Sequence, residues 1–184
     1  IQKFLFPKPG ICTDELLYFR RNGGAYYAWS EDIIYFDRDG NVEFDTYFNG
    51  FSAEKFFKYT VVERVSVRLY LDGLFRITLM RKEKQGKKLY TEYIAERDVE
   101  ARADEAIELP FESNSTAGMF CIQLHALRSG GKFLGGCYTA AVPENKIRPI
   151  KIGLDICTFK REKFVAANVR NLQHELADPA SPLR

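Results

Sequence analysis

Several residue types that announce a function are scarce in this chain of 184 residues. There are two methionines, one tryptophan (Trp29) and two histidines, His125 and His174. The four cysteines, Cys12, Cys121, Cys137 and Cys157, are scattered. None stands in a Cys-x-x-Cys pair and neither histidine is spaced to join them, which argues against a zinc ribbon or finger. They read as buried, reduced thiols of a cytosolic protein. No apolar run approaches the ~20 residues that carry a helix across a bilayer. The opening Ile1–Pro7 is too short for a signal peptide, and Pro7 and Pro9 interrupt it. Charge of one sign is missing too. Lys and Arg number 27 against 25 Asp and Glu, a net charge of +2, so nucleic acid is not an expected partner. Internal repeats and low-complexity tracts are absent. The first residue is Ile rather than Met, which suggests a piece of a longer protein.

What is present is apolar and aromatic. Hydrophobic residues make up 46% of the chain, with 15 Phe and 10 Tyr, enough to fill a core, and 28% charged residues give it a polar surface. The length suits one ordinary domain plus a fragment. Alternation marks strands at residues 3–6, 16–20, 25–29, 33–36 and 42–48. Asp37–Asn41 reads as a hairpin connection between the last two. Ser52 reads as the N-cap of a short helix ending near Tyr59, with Glu54 in its first turn. Val65, Val67, Leu69 and Leu71 alternate with polar residues, and Phe75, Ile77 and Leu79 resume the pattern. Asp72-Gly73 between them predicts a tight hairpin. A turn at residues 84–87 leads to a strand at 89–95, and the charged stretch 96–105 reads as a loop. Pro110 places the strand at 106–111 at an edge. Phe120, Ile122, Leu124 and Ala126 share a core face, and residues 133–142 return after a turn. Short strands with frequent turns predict a two-sheet β-sandwich over residues 1–146.

Pro143–Pro149 reads as a linker, after which the period changes. Ile150, Ile152, Leu154 and Ile156 alternate as a strand. Val165, Val169, Leu172 and Leu176 then fall on one helix face, with Asp178-Pro179 as the stop. A strand–turn–helix unit is where α/β proteins place nucleotides and phosphates. Thr158 and Arg161 sit at that turn. Arg161 could meet a uracil carbonyl or a phosphate, or it could be solvated while Thr158 caps the helix. Asp155 could face the nucleotide, but reads better as an edge residue with a polar partner.

Other residues admit a chemical and a plain reading. Asp37-Arg38-Asp39 is an Asp-x-Asp pattern that could offer two oxygens to a hard cation, but Gly40-Asn41 directly after it favours a turn. Tyr26, Tyr27, Trp29 and Tyr47 could stack on sugar rings, or could be core. His125 with Gln123 reads as part of a polar sheet face rather than a catalytic base. Arg64, Arg68 and Arg76 share the polar face of the expected hairpin. They could meet acidic glycan or phospholipid head groups, or only solvent.

Cys157-Thr-Phe-Lys-Arg-Glu162 resembles the Thr-(Tyr/Phe)-Asn-Arg turn that opens the nucleotide-sugar domain of family 2 inverting glycosyltransferases with the GT-A fold. Lys160 stands where that family has Asn. The β-rich segment before it, with Phe44–Phe51, Ser52–Phe57 and the Val65–Leu79 stretch in that order, resembles the amino-terminal sandwich of polymerising galactofuranosyltransferases. The resemblance implies a mainly β chain: a jelly-roll-like sandwich over 1–146, and over 147–184 the first strand and helix of a truncated GT-A domain. It implies Thr158, Phe159 and Arg161 as nucleotide-sugar contacts. It further implies a UDP-sugar donor, a glycan acceptor, and Mg or Mn in the intact enzyme, with none bound by this fragment. No catalytic residue is assigned within the chain, so the fragment alone is expected to be inactive. A cytoplasmic location is implied, with peripheral association at the inner face of the plasma membrane and homo-oligomerisation left open. The alternative is a non-catalytic carbohydrate-binding or oligomerisation sandwich.

Overall fold

The computed structural model describes residues 1–111, 117–147 and 158–177. The chain divides into two compact units, Ile1–Ile147 and Arg148–Arg184.

The first unit is a β-sandwich bordering on a barrel. Its strands are β1 (Gln2–Lys3), β2 (Arg20–Arg21), β3 (Ala25–Ala28), β4 (Ile33–Phe36), β5 (Asn41–Glu43), β6 (Ser66–Gln85), β7 (Lys88–Ala101), β8 (Ala106–Pro110), β9 (Met119–Ala126) and β10 (Gly131–Thr139). A short helix, α1 (Ala53–Tyr59), lies between β5 and β6. One sheet runs β3–β4–β10–β6–β8, with β1 beside β10, and the other runs β2–β5–β9–β6–β7. Every strand pair is antiparallel.

β6 belongs to both sheets. Its first half pairs with β10 up to Asp72↔Lys132 and with β8 up to Tyr70↔Ala106. From Gly73 onward the partners are β7 (Gly73↔Ala101) and β9 (Phe75↔Ala126). Asp72-Gly73 is therefore a sheet-to-sheet bend within one strand of 20 residues, not the expected hairpin turn. The physical reason is parity. In a two-residue hairpin Leu71 and Leu74 would oppose each other and share a face. Arg76 and Thr78 would then point with Leu69, and Phe75, Ile77 and Leu79 would point away. The odd-numbered apolar series instead continues unbroken through Gly73 and stays inside both sheets. Gly73 is required at the bend: its φ is 114°, and a Cβ there would lie 3.1 Å from the Cα of Gly131. The true tight hairpin joins β6 to β7 through Gly86-Lys87, with Gln85 opposite Lys88 and φ of 62° at Gly86.

Three further expectations are corrected. Residues 96–101 are strand, because the outward charges of β7 pair across to β6 while Val99 and Ala101 face inward; only residues 102–105 turn the chain into β8. Residues 37–40 do not close a hairpin. β4 pairs with β3 and β10, whereas β5 pairs with β2 and β9, so this turn carries the chain from one sheet to the other. Residues 16–20 are mostly not strand either: Glu15–Leu17 is a 3-10 turn, and β2 begins only at Arg20.

The core between the sheets is aromatic. Phe4, Phe19, Phe36, Phe44, Phe51, Phe75, Phe133 and Tyr138 are buried with Ile34, Leu69, Leu71, Ile77 and Leu124. Rings meet edge to face or tilted, as in Phe36–Phe75 at 5.1 Å and Phe44–Phe133 at 5.0 Å, and Phe51 stacks on Tyr138 at 4.7 Å. Asn49 is the buried polar anchor. Its amide nitrogen donates to the carbonyls of Leu5 (2.9 Å) and Tyr18 (2.6 Å), and its oxygen accepts from the Leu5 N–H at 2.7 Å. That satisfies backbone groups which would otherwise be costly to bury.

In the second unit the described element is helix α2 (Glu162–Ala177), as the periodicity predicts. It has no buried residue, and Phe164, Val169 and Leu176 are exposed. The expected strand at 150–156, Asp155 within it, and the stop at Asp178-Pro179 lie outside the described residues. No helix among the described residues is long and apolar enough to cross a membrane.

Candidate functional site

The turn before α2 carries the residues that the sequence singles out for nucleotide-sugar contact. Thr158, Phe159, Lys160 and Arg161 are all exposed. Lys160 has a φ of 54°, in the left-handed region, and its ammonium sits 5.2 Å from the centre of the Phe159 ring. The Arg161 carbonyl accepts from the N–H groups of Phe164 (3.0 Å) and Val165 (3.2 Å). The helix therefore begins at Glu162, and Thr158 is too far upstream to cap it. Thr158 and Arg161 are left near the N-terminal end of a helix of 16 residues, the end whose dipole attracts anions.

In the sandwich the four aromatic candidates do not form one platform. Tyr27 is core: its hydroxyl donates to Asp32 at 2.6 Å, and burial together with that carboxylate holds the phenol far above its usual pKa. Trp29 tilts against it at 5.2 Å. Tyr26 is exposed and stacks on its cross-strand partner Tyr35 at 5.1 Å. Tyr47 is exposed and touches the Phe48 ring, away from the others.

Two of the open clefts on this unit carry aromatic side chains. One, of about 910 Å³, has Phe51, Phe57, Phe111 and Phe120 on its floor and Arg64 and Glu108 at its rim. The other, of about 750 Å³, lies over the outer side of the first sheet, where Tyr70 and Leu134 meet Lys8, Glu31 and Asp32.

The expected arginine face is divided by the bend in β6. Arg68 lies on the first sheet and pairs with Glu108 at 3.0 Å. Arg76 lies on the second and holds Asp98 with two bonds of 2.7 and 2.9 Å. His125 approaches Asp39 at 3.7 Å, and Asp39 also lies 4.0 Å from Arg38. Among the described residues no group of three or more His, Cys, Asp or Glu is placed to hold a metal ion.

An ion cluster on the outer side of the second sheet was not legible in the sequence. Arg20 from β2 binds Asp45 and, at 2.9 Å, Glu43; Lys82 from β6 binds the same two carboxylates. The side chains of Asp45 and Lys82 are only 7% and 10% exposed. Burial pushes the Asp45 carboxyl up, but hydrogen bonds from Arg20 and Lys82 outweigh it and hold the group below its ordinary range. For Lys82 burial works downward, and the two carboxylates more than reverse it. Cys121 is fully buried close to these charges, and burial raises its thiol to about 12. A thiol that stays protonated is no nucleophile, so the cluster is a structural clamp between strands. Its partners stand 23 to 39 residues apart, and no local pattern announces them.

Comparison with known proteins supplies the family. No curated protein matches the chain. Among solved structures, the chain resembles the N-terminal endo-1,4-β-D-xylanase 10B of Clostridium thermocellum, in its CBM22-1–GH10 modules complexed with xylohexaose. There the identity is 12% over 74% of this chain and 28% of that one, with a TM-score of 0.43. It also resembles a family GH115 4-O-methyl-α-glucuronidase with specificity for decorated arabinogalactans, at 10% identity over 67% of this chain and 16% of that one, with a TM-score of 0.38. The chain thus spans less than a third of either protein, and likeness at this level carries no functional argument. The model of the galactofuranosyltransferase 2 N-terminal family, however, matches residues 1–133. With that span covering most of its length, this chain belongs to the galactofuranosyltransferase 2 N-terminal family.

Proposed function

We propose that this chain is the amino-terminal part of an inverting, family 2 glycosyltransferase with a GT-A catalytic domain. In this reading the enzyme transfers galactofuranose from UDP-galactofuranose to a growing lipid-linked or cell-wall glycan. Membership of the family over residues 1–133 carries the reading. The exposed Thr158–Arg161 turn, followed directly by α2, supports it at the donor site. Arg161 would give the uracil or a phosphate a charge-assisted hydrogen bond, Thr158 would supply a hydroxyl, and Phe159 an aromatic face.

The divalent ion that such a transfer calls for does not fit the described residues. Asp39 faces Arg38 and His125, and no third oxygen ligand joins it. Metal ligands and the carboxylate base that would deprotonate the acceptor hydroxyl are therefore assigned outside the described residues.

The test is calorimetric titration of UDP into the full-length protein and its Arg161→Ala variant at matched thermal stability. Binding weakened about tenfold or more is expected, the equivalent of one charge-assisted contact. Equal affinities would leave the turn with a structural role only.

A second reading, a glycan-binding sandwich, is favoured by the cleft where Tyr70 stands beside Lys8, Glu31 and Asp32. An aromatic face with a few polar groups around it is the usual makeup of a sugar site. Binding of a galactofuranose oligosaccharide that is lost in Tyr70→Ala, with UDP affinity unchanged, would support it. Oligosaccharide affinity unaltered by Tyr70→Ala would exclude this cleft.

A further inference from the structure

The chain contains two Asn-Gly dipeptides, Asn22-Gly23 and Asn49-Gly50. An asparagine before a glycine can react with its own backbone, because the missing Cβ lets the next nitrogen swing onto the side-chain carbon. The fold treats the two in opposite ways. Asn49 has no exposed surface, so its amide is out of reach of water. The Gly50 N–H, the group that would attack, donates to the Thr46 carbonyl at 2.9 Å. That site is locked.

Asn22 and Gly23 are both exposed, and the Gly23 N–H has no hydrogen-bond partner among the described residues. The side chain beside it is held in place. Asn22 Oδ1 accepts from the backbone N–H groups of Gly24 (3.1 Å) and Asn41 (2.9 Å), and its Nδ2 donates to the Asp39 carbonyl at 3.0 Å. These bonds have an ordinary use. Residues 22–24 carry the chain from the second sheet to the first, residues 37–40 carry it back, and Asn22 staples the two crossings. Stapling does not call for a free nitrogen next to the amide. Two N–H groups aimed at one carbonyl oxygen are also the arrangement that stabilises an oxyanion when a nucleophile adds to the carbon.

We propose that Asn22-Gly23 is a self-modifying site that converts to aspartate and isoaspartate through a cyclic imide, with water as the only co-reactant. The Gly23 nitrogen, having given up its proton, bonds to Asn22 Cγ, and the carbonyl electron pair moves onto Oδ1 between the Gly24 and Asn41 donors. The pair then returns, the Cγ–Nδ2 bond breaks, and Nδ2 takes up a proton and leaves as ammonia. Water opens the five-membered imide at either carbonyl, and a proton returns to nitrogen. Nothing is oxidised or reduced. With a carboxylate in place of the amide, the donor to the Asp39 carbonyl is lost and two oxygens face each other, which loosens the staple. The proposal goes beyond the transferase reading and does not depend on it.

The experiment is peptide mass mapping of the full-length protein incubated in mildly alkaline buffer, folded and in guanidinium chloride. Conversion is read as exchange of NH2 for OH, and isoaspartate by methylation with an isoaspartyl methyltransferase. Asn22 should convert in the folded protein at least as fast as in the unfolded chain. Asn49 should convert about 100-fold more slowly folded than unfolded, since its hydrogen bonds must first open. Gly23→Ala should slow conversion at Asn22 about tenfold or more by hindering the approach of the nitrogen. A Cβ there would meet nothing within 4 Å and the φ of Gly23 is not positive, so the variant should keep its thermal midpoint and misfolding is not a competing explanation. Asn22→Asp should lower the midpoint by about 3 °C, the loss of one hydrogen bond in a protein of this size. Asn22 that survives in the folded protein but converts in guanidinium would overturn the proposal, because the turn would then protect the amide. Equal folded-state rates at Asn22 and Asn49 would overturn it too, by placing both conversions in the unfolded chain. Undiminished conversion in Gly23→Ala would rule out attack by that nitrogen, and an unmoved midpoint in Asn22→Asp would rule out the loosened staple.

Discussion

Leu69 has no exposed surface and stands midway along the first half of β6, between β10 and β8. Leu69→Ala removes its apolar contacts and leaves a cavity that packed neighbours close only in part. A loss of about 2–5 kcal/mol in urea unfolding is expected. A change near zero would mean that the side chain is not in the core. The ion clamp gives a different signature. Asp45 is held below its ordinary value of 3.8 by Arg20 and Lys82 against the effect of burial. A carboxyl lowered in the folded state stabilises the fold above its unfolded pKa, and that contribution disappears as pH falls through about 4 and below. Lys82 is raised above 10.5, so the pair persists well into the alkaline range. Lys82→Met should therefore cost about 2 kcal/mol at pH 7, where it leaves the largely buried Asp45 carboxylate with Arg20 as its remaining cationic partner. The gap between variant and wild type should narrow at about pH 3, as the carboxylates protonate. Unfolding curves at the two pH values check this; a gap that does not change with pH would mean that packing, not charge, carries the loss.

At the scale of elements, alternation revealed most of the sandwich, and the 3.6-residue period revealed α2. Misreadings arose where a local rule competed with a long-range one. Asp-Gly is a strong turn signal, but the parity of Phe75, Ile77 and Leu79 already pointed to one strand through Gly73. A run of charges such as 96–101 reads as loop until its partners on β6, some 20 residues away, are known. The clamp of Arg20, Glu43, Asp45 and Lys82 joins three segments and has no signal in any one of them. The donor-site turn was legible as a motif, because its residues are consecutive. The bend also makes a prediction. Gly73→Ala puts a Cβ on a residue with φ of 114° and within 3.1 Å of the Gly131 Cα. Both the strained backbone and the close approach of β6 to β10 should count, costing about 1–3 kcal/mol or more. Gly86→Ala, with φ of 62° but open space around it, should cost less, about 1 kcal/mol. Reversal of that order in parallel denaturation curves would show that β6 does not bend at Gly73.

For the whole molecule, the question is how much of the stability resides in the first unit. Every buried hydrophobic residue among those described lies between Phe4 and Tyr138, and α2 contributes none. Hydrophobic burial is the main favourable term in folding, so the free energy that holds the sandwich originates within residues 1–147. The pairings that close it are also internal: β1 to β10, and both halves of β6 to their four partners. A protein cut after Ile147 should therefore unfold in one cooperative transition. Its midpoint should lie within about 4 °C of the sandwich transition in the longer chain, the shift that ~1 kcal/mol produces in a domain of this size. Calorimetry of the two proteins side by side is the measurement. A sandwich that loses cooperativity or melts far lower after the cut would mean that residues 148–184 hold it together, and α2 would then be a brace for the β unit rather than an element with its own partners elsewhere.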